Sequence, residues 1–253
     1  MVKINKKVVA ATISAAENGD PEAQNDLGVM YVNGQGVKQD FKLAEHWFKC
    51  GAEQGDVSAQ FNLGVMYARG DGVEKDAKMA VELYLKAANQ GSKFAQLNLG
   101  ILYCDGNDVE QDHQQALYWF QKSAEQNFAK AQYHLGNAYK NGNGVEKNLE
   151  VAAEWYRKAA DQGDKLAQYN LALMHYHGDG IAQDYDKAKS WLEMSSDKGY
   201  PNAEYLLGMM YGQGLGVKQD FDMAIKFIQR SARQGYPKAI EAISDINKIR
   251  QVS

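Results

Sequence analysis

Histidine, cysteine and paired glycine are the residues of this 253-residue chain whose types and spacing could do chemistry. The five histidines are His46, His113, His134, His175 and His177. A metal centre needs several imidazoles, thiolates or carboxylates converging on one point. His175 and His177 stand two apart, and a helix points such neighbours roughly 200° apart. His134 can approach His175, yet no cysteine or carboxylate cluster joins them at ligand spacing, so no metal is expected. The pairs Gly34/Gly36 and Gly70/Gly72 invite a nucleotide-binding reading. A dinucleotide loop follows a strand and carries a third glycine that opens a helix. Neither condition is met, and turns are the expected role. No Ser/His/Asp or Cys/His constellation is found, so neither catalytic residues nor a cofactor are expected, and the chain reads as a non-enzyme.

Composition narrows the classes further. Lys and Arg number 28 against 32 Asp and Glu, a net charge of −4. A nucleic-acid-binding surface normally shows a basic excess, so no nucleic-acid partner is expected. Mean hydropathy is −0.54, and no apolar run approaches the ~18 residues of a membrane span. Two cysteines cannot staple a secreted disulfide scaffold. Hydrophobic residues make up 45% of the chain, too many for a disordered one. Glycine is the anomaly, with 24 glycines against 3 prolines.

Those glycines are periodic. Gly34, Gly70, Gly106, Gly142, Gly178 and Gly214 are each 36 residues apart. A second series, Gly19, Gly55, Gly91, Asn127, Gly163, Gly199 and Gly235, has the same step. Leucine keeps it from Leu27 to Leu207, and alanine from Ala44 to Ala224. All four tryptophans, Trp47, Trp119, Trp155 and Trp191, share one column, with Leu83 and Phe227 in the gaps. A period of this length marks stacked supersecondary units.

Each unit reads as two helices. Asp20 is a natural N-cap with Pro21 at N1, where a missing N–H costs nothing. The first helix runs to Asn33 and stops at Gly34. Asp40 then caps the second helix, and its column continues Asp76, Asp112, Asn148, Asp184 and Asp220. That helix ends near Gln54, before Gly55. The stop column is almost all glycine because the residue after a helix favours a left-handed backbone, and Asn127 is the next best tolerated type there. A helix pair cannot bury its apolar face alone, so the pairs must stack. The expected architecture is all-α: an α/α superhelical solenoid of helix-turn-helix repeats, right-handed and in one domain. Residues 3–15 form an N-terminal capping helix, 16–231 six full repeats, and 232–253 a C-terminal capping helix.

The segment Ala52 to Asp76, AEQGDVSAQFNLGVMYARGDGVEKD, resembles the Sel-one-like repeat family, the longer-looped relatives of tetratricopeptide repeats. The likeness extends over nearly the whole chain. Three positions depart from the pattern: Asp108 replaces a loop glycine, Ala172 a helix glycine and His175 a tyrosine. The fifth repeat, with two of these, is expected to be locally irregular. The resemblance implies an adaptor that assembles other proteins, often in bacterial signalling, secretion or host contact. A cysteine-rich branch of the family pairs two cysteines within each repeat and has been linked to penicillin-binding or lactamase activity. Cys50 and Cys104 lie 54 residues apart, one and a half repeats, so that pattern is missing and a disulfide between them is not expected. Free thiols fit a reducing compartment or a chain that has no use for disulfides.

Rotation by about 100° per residue divides the first helix into two faces. Ala23, Gln24, Leu27, Gly28, Met30 and Tyr31 form the packing face, with Gly28 and its column expected to let two helix backbones approach closely. In tetratricopeptide proteins the positions similar to the opposite face line a concave groove. Here they hold Phe61, Phe94, Leu97, Ile101, Tyr133, Asn137, Tyr169, Leu173, Tyr176, His177, Tyr205 and Met209. Apolar and aromatic residues recurring on a face expected to meet water mark an interaction site. The second helix is amphipathic, with Phe41, Ala44, Trp47, Phe48 and Gly51 inward. Its tryptophan column is expected in the core, and Lys86, Lys122 and Lys158 form a solvated outer stripe near helix C-termini.

The resulting expectation is a non-enzymatic scaffold or adaptor that binds a protein or peptide in its concave groove. Its more specific form is an inhibitor or immunity partner of a bacterial toxin. The alternative class is a hydrolase of cell-wall or β-lactam substrates, as proposed for cysteine-rich relatives. A monomer is expected. Lys3, Lys6 and Lys7 precede the modestly apolar Val8–Ala16, so residues 1–16 could act as a weak signal peptide. Because Ala15, Ala16 and Glu17 already fit the repeat, a cytoplasmic location is favoured over export.

Overall fold

The structure, a computed structural model, describes the backbone of residues 5–252 and the side chains of residues 5–246 and 248. Lys3 and the first residues of the expected capping helix lie outside the described residues. Helices and short loops account for all the described backbone, without a strand. The chain divides into two compact units, Met1–Gln126 and Asn127–Ser253.

The first unit contains α1 (Lys6–Glu17), α2 (Pro21–Asn33), α3 (Phe41–Glu53), α4 (Val57–Arg69), α5 (Ala77–Asn89), α6 (Lys93–Asp105) and α7 (His113–Glu125). The second contains α8 (Ala129–Asn141), α9 (Leu149–Asp161), α10 (Lys165–His177), α11 (Tyr185–Asp197), α12 (Pro201–Gln213), α13 (Phe221–Arg233) and α14 (Pro237–Val252). Within each unit an even-numbered first helix packs on the odd-numbered second helix that follows it, and each hairpin stacks on the next. This is the all-α solenoid of 36-residue hairpins that the period predicts. The leading helix runs to Glu17 because Ala16 is buried against Leu27 and Met30.

Local chemistry sets the boundaries. Asp40, Asp76, Asp112, Asn148, Asp184 and Asp220 each accept a backbone N–H of the second helix's first turn, a cap worth about 1 kcal/mol apiece. Every first helix from α2 to α12 ends in a left-handed glycine, from Gly34 at φ 66° to Gly214 at φ 71°. Asn127 holds the same kind of backbone at φ 57°, the one non-glycine with positive φ among the described residues. Its side chain can stabilise that conformation locally, which an alanine could not do.

Gly28 and its column have a different purpose from the one expected. At four of the five glycines they seat a side chain of the second helix rather than bringing two backbones together. A methyl group built on Gly28 would lie 2.6 Å from the Phe48 ring, and one on Gly136 would lie 2.5 Å from Tyr156. Gly64 faces Tyr84 and Gly100 faces Phe120 in the same way, whereas a methyl on Gly208 would meet both the Ile228 side chain and, at 2.9 Å, the Ala224 carbonyl, the close backbone approach that was expected. In the fifth repeat Leu192 replaces the ring, and Ala172 takes the glycine's place in the same buried cluster. A smaller knob leaves room for one more methyl. That exchange keeps the fifth repeat regular, contrary to expectation: α10 and α11 are ordinary 13-residue helices, with Gly178 left-handed and Asp184 capping.

Asp108 follows a similar logic. The loop glycine of this column presses on the first residue of the preceding second helix, as Gly72 does on Phe41 and Gly216 on Tyr185. The residue in that register before Asp108 is the small Ala77, and the Asp108 carboxylate pairs with Lys75 at 2.6 Å. The tryptophan column enters the core at Trp119 and lies at its margin elsewhere. Trp119 is buried, while Trp47, Trp155 and Trp191 are half-buried, and the Lys158 ammonium sits 4.0 Å from the Trp155 ring centroid.

Candidate functional site

The first helices stand side by side within each unit, so their outward positions form a shared face. In the second unit a hydrogen bond from Lys140 to Asn170 (3.4 Å) links α8 to α10. Another, from Tyr176 to Gln213 (3.5 Å), links α10 to α12. Beneath this face runs a row of buried amides. Gln24 Nε2 donates to the Ala16 carbonyl at 3.2 Å, and its Oε1 accepts from Gln54 at 2.8 Å. Gln60 and Gln96 repeat the arrangement with Ala52 and Gln90, and with Ala88 and Gln126. Buried amides cost free energy unless paired, so these bonds both satisfy and align successive hairpins.

In the first unit Phe61 is half-buried, its ring 5.8 Å from Tyr84 and 5.9 Å from Phe94. Phe94 is 49% exposed. Ile101 borders a cleft of about 190 Å³ shared with Val65, Arg69, Tyr84 and Asn98. A similar cleft of about 180 Å³ lies between Val29, Val32, Asn62 and Val65. Leu97 is different: at 6% exposure it belongs to the core. Its burial removes it from the surface on which sequence reasoning placed it.

In the second unit Tyr133, Tyr169 and Tyr205 are half-buried at successive repeat positions. Tyr169 meets Tyr200 edge-on at 5.1 Å, and Tyr205 meets Tyr236 at 5.4 Å. Tyr133 lies 5.4 Å from His134 and 6.1 Å from Tyr156. Burial, then the neighbouring Tyr236 and Tyr200, push the Tyr169 hydroxyl up to about 12. Burial also raises Tyr200 and, more strongly, Tyr156. These phenols are neutral donors and acceptors at physiological pH. Asn137 has a structural task as well, accepting the Tyr156 hydroxyl at 2.6 Å. Leu173 and Met209 are half-buried, Tyr176 packs on Tyr185 at 5.4 Å, and His177 is exposed.

Tyr200 and Tyr236 were missed by sequence reasoning, although a signal existed. Their column holds Asp20, Asp56, Ser92 and Asp164, all N-caps, and then departs to Phe128, Tyr200 and Tyr236. Phe128 and Tyr200 make no side-chain capping bond, so α8 and α12 each forgo about 1 kcal/mol of capping. Among the described residues no three His, Cys, Asp or Glu side chains gather as metal ligands. Cys50 and Cys104 are free thiols.

A family model described as the Sel1 repeat matches residues 21–56, 57–92, 93–128, 129–164, 165–200 and 201–236. The chain belongs to the Sel1-repeat family. Among solved structures, this Sel1-repeat chain is similar to c5321, a protective antigen of uropathogenic Escherichia coli with an SLR fold. The two are 38% identical with a TM-score of 0.87, over 92% of this chain and 50% of that one. This chain thus spans half the length of the E. coli protein. A Sel1 repeat protein from Oxalobacter formigenes is 31% identical with a TM-score of 0.83, over 93% of this chain and 68% of its own. The immunity protein PA5088 of Pseudomonas aeruginosa shares the fold at 17% identity and a TM-score of 0.53, over 84% of this chain and 80% of its own. No curated protein matches the chain. No helix among the described residues is long and apolar enough to cross a membrane.

Proposed function

We propose that this Sel1-repeat chain is a non-enzymatic scaffold that holds a partner protein or peptide on the outward face of its first helices. One observation carries the reading: aromatic side chains recur at repeat spacing on the first helices and remain partly exposed, at Phe61 in the first unit and at Tyr133, Tyr169 and Tyr205 in the second. A packing role alone would bury them as fully as Leu135 and Leu171, each 1% exposed. Rigid aromatic rings with a polar tip are efficient anchors for a partner. A more specific form is an inhibitor or immunity partner of a toxin, acting in the cytoplasm as a monomer. The fold shared with PA5088 supports that form at the level of architecture alone.

The test is affinity capture by the full chain followed by mass spectrometry, repeated with Tyr133→Ala and Tyr169→Ala. The captured partner should bind each variant about tenfold more weakly or worse, a loss of about 1.4 kcal/mol, while the thermal midpoint falls by only a few degrees. Equal affinity in both variants overturns the reading. Turnover of cell-wall or β-lactam substrates above background would return the chain to the hydrolase class.

A further inference from the structure

The first-helix faces of the two units differ in charge although they share a shape. In the first unit α2 carries Glu22 and Asp26, α4 carries Arg69, and α6 carries Lys93 and Asp105. In the second unit α8 and α10 carry Lys130, Lys140 and Lys165 and not one Asp or Glu. Lys130 lies one turn before Tyr133. Lys140 reaches Asn170, and the Lys165 ammonium lies 6.0 Å from the Tyr200 ring centroid. Among the described residues none of these three lysines forms an ion pair. Two carboxylates of this unit's first helices and their caps are already engaged. Asp164 accepts the amides of Leu166 and Ala167, and Glu204 is buried against Arg230.

A chain with net charge −4 therefore displays, over two neighbouring helices, an unbalanced positive strip among half-buried tyrosines. We propose that the face formed by α8 and α10 docks an extended, acidic segment of a protein partner. This rests on the scaffold reading above and adds the partner's chemistry and the site. Carboxylates of the segment would meet Lys130, Lys140 and Lys165, while its apolar side chains would lie on Tyr133 and Tyr169. Packed helices are spaced by about 8–10 Å, and an extended strand advances about 3.3 Å per residue. Every third residue of the segment would thus face a tyrosine. Electrostatic complementarity of this kind acts chiefly on encounter and partner choice and weakens with salt. A single-stranded nucleic acid is disfavoured because Tyr133 and Tyr169 are engaged edge-on by His134 and Tyr200 rather than open as stacking platforms.

The probe is a phage library of random dodecapeptides panned on the full chain at low ionic strength. Selected peptides are then titrated against the chain and the triple variant Lys130→Glu, Lys140→Glu, Lys165→Glu. The expected result is enrichment of Asp and Glu with apolar residues three apart, and about tenfold or greater weakening in the triple variant. Circular dichroism verifies folding. Should the charge reversals unfold the chain, the Lys→Gln triple variant gives a smaller loss in the same direction. Peptides that bind but are neutral or basic, or that ignore the lysine changes, overturn this proposal and leave the scaffold reading standing. No enrichment above background overturns both. A single-stranded oligonucleotide that binds tighter than any peptide, and loses affinity in the triple variant, assigns the face to nucleic acid and overturns the acidic-peptide proposal.

Discussion

The buried amide row is uniform in one unit and irregular in the other. In the first unit Gln24, Gln60 and Gln96 each accept from the glutamine that ends the following second helix, at 2.8 Å in all three cases. The second unit begins alike, with Gln132 accepting from Gln162 at 2.7 Å. Its next rung fails: Lys198 occupies the donor's position and turns to the Gly163 carbonyl, leaving Gln168 Oε1 buried without a partner. In the last rung Glu204 replaces glutamine and is held by Gln234 at 2.6 Å and Arg230 at 2.8 Å. Apolar seams around these rungs stay almost constant. The polar contact can therefore vary one member at a time, provided the same hairpin supplies a substitute donor or tolerates an orphan.

Charge should make the last rung the most fragile to lose. Arg230→Ala leaves a carboxylate that is 1% exposed with one neutral donor, so a loss of about 2–4 kcal/mol is expected. Gln54→Ala, which breaks a neutral rung in the first unit, should cost about 1 kcal/mol. Denaturant unfolding of the two variants tests this, and equal losses would remove the distinction between the rungs.

Knob and seat offer the next contrast. Gly136→Ala drives a methyl against the Tyr156 ring and should cost about 1–3 kcal/mol. Adding Tyr156→Leu recreates the pairing of Ala172 with Leu192, and part of the loss should return. Strict additivity in that double-mutant cycle would show that the two positions are not coupled. Lys198→Gln should restore a donor for Gln168 and stabilise the second unit by about 0.5–1.5 kcal/mol. A midpoint unchanged or lowered would mean that the orphaned oxygen is already served.

The smallest effect concerns pH. Burial, aided by the positive charges of Lys187 and Arg157, holds His175 below its ordinary value of 6.5, against opposing help from the Ala182 backbone and Asp184. The unfolded chain then binds more protons than the folded one, so stability falls as pH drops through that ordinary value. His175→Gln should flatten the fall, and thermal midpoints taken from neutral to mildly acidic buffer would reveal an unaltered slope if the assignment is wrong.

Period and caps were legible in the sequence because each depends on one residue type in one local conformation. The left-handed stop column, including Asn127, follows from backbone sterics alone. Contacts between columns were not legible, since a repeat tells which residues are equivalent but not which ones touch. That is why Gly28 was read as a backbone contact when it seats Phe48, and why Ala172 looked like a defect without Leu192 beside it. The candidate face was readable as a stripe of aromatic positions. Burial within it was not, as Leu97 shows, because the next hairpin decides how far each side chain is covered. Tyr200 and Tyr236 were hidden in a column whose members are mostly caps, so nothing local marked them as partners for Tyr169 and Tyr205.

Glu204 has one further effect. Gln168 in α10 donates across to the Ala160 carbonyl of the preceding hairpin, and Gln24, Gln60 and Gln96 reach back in the same manner. A carboxylate in the glutamine's place carries no amide hydrogen to give, so α12 lacks that tether to α11, while Arg230 and Gln234 fasten it more firmly to α13. The last hairpin, α12–α13, on which α14 packs, is thereby expected to open as a unit. Its backbone amides should exchange with deuterium ahead of those in α9 and α10, and the seam between α11 and α12 is where an unfolding front would first separate.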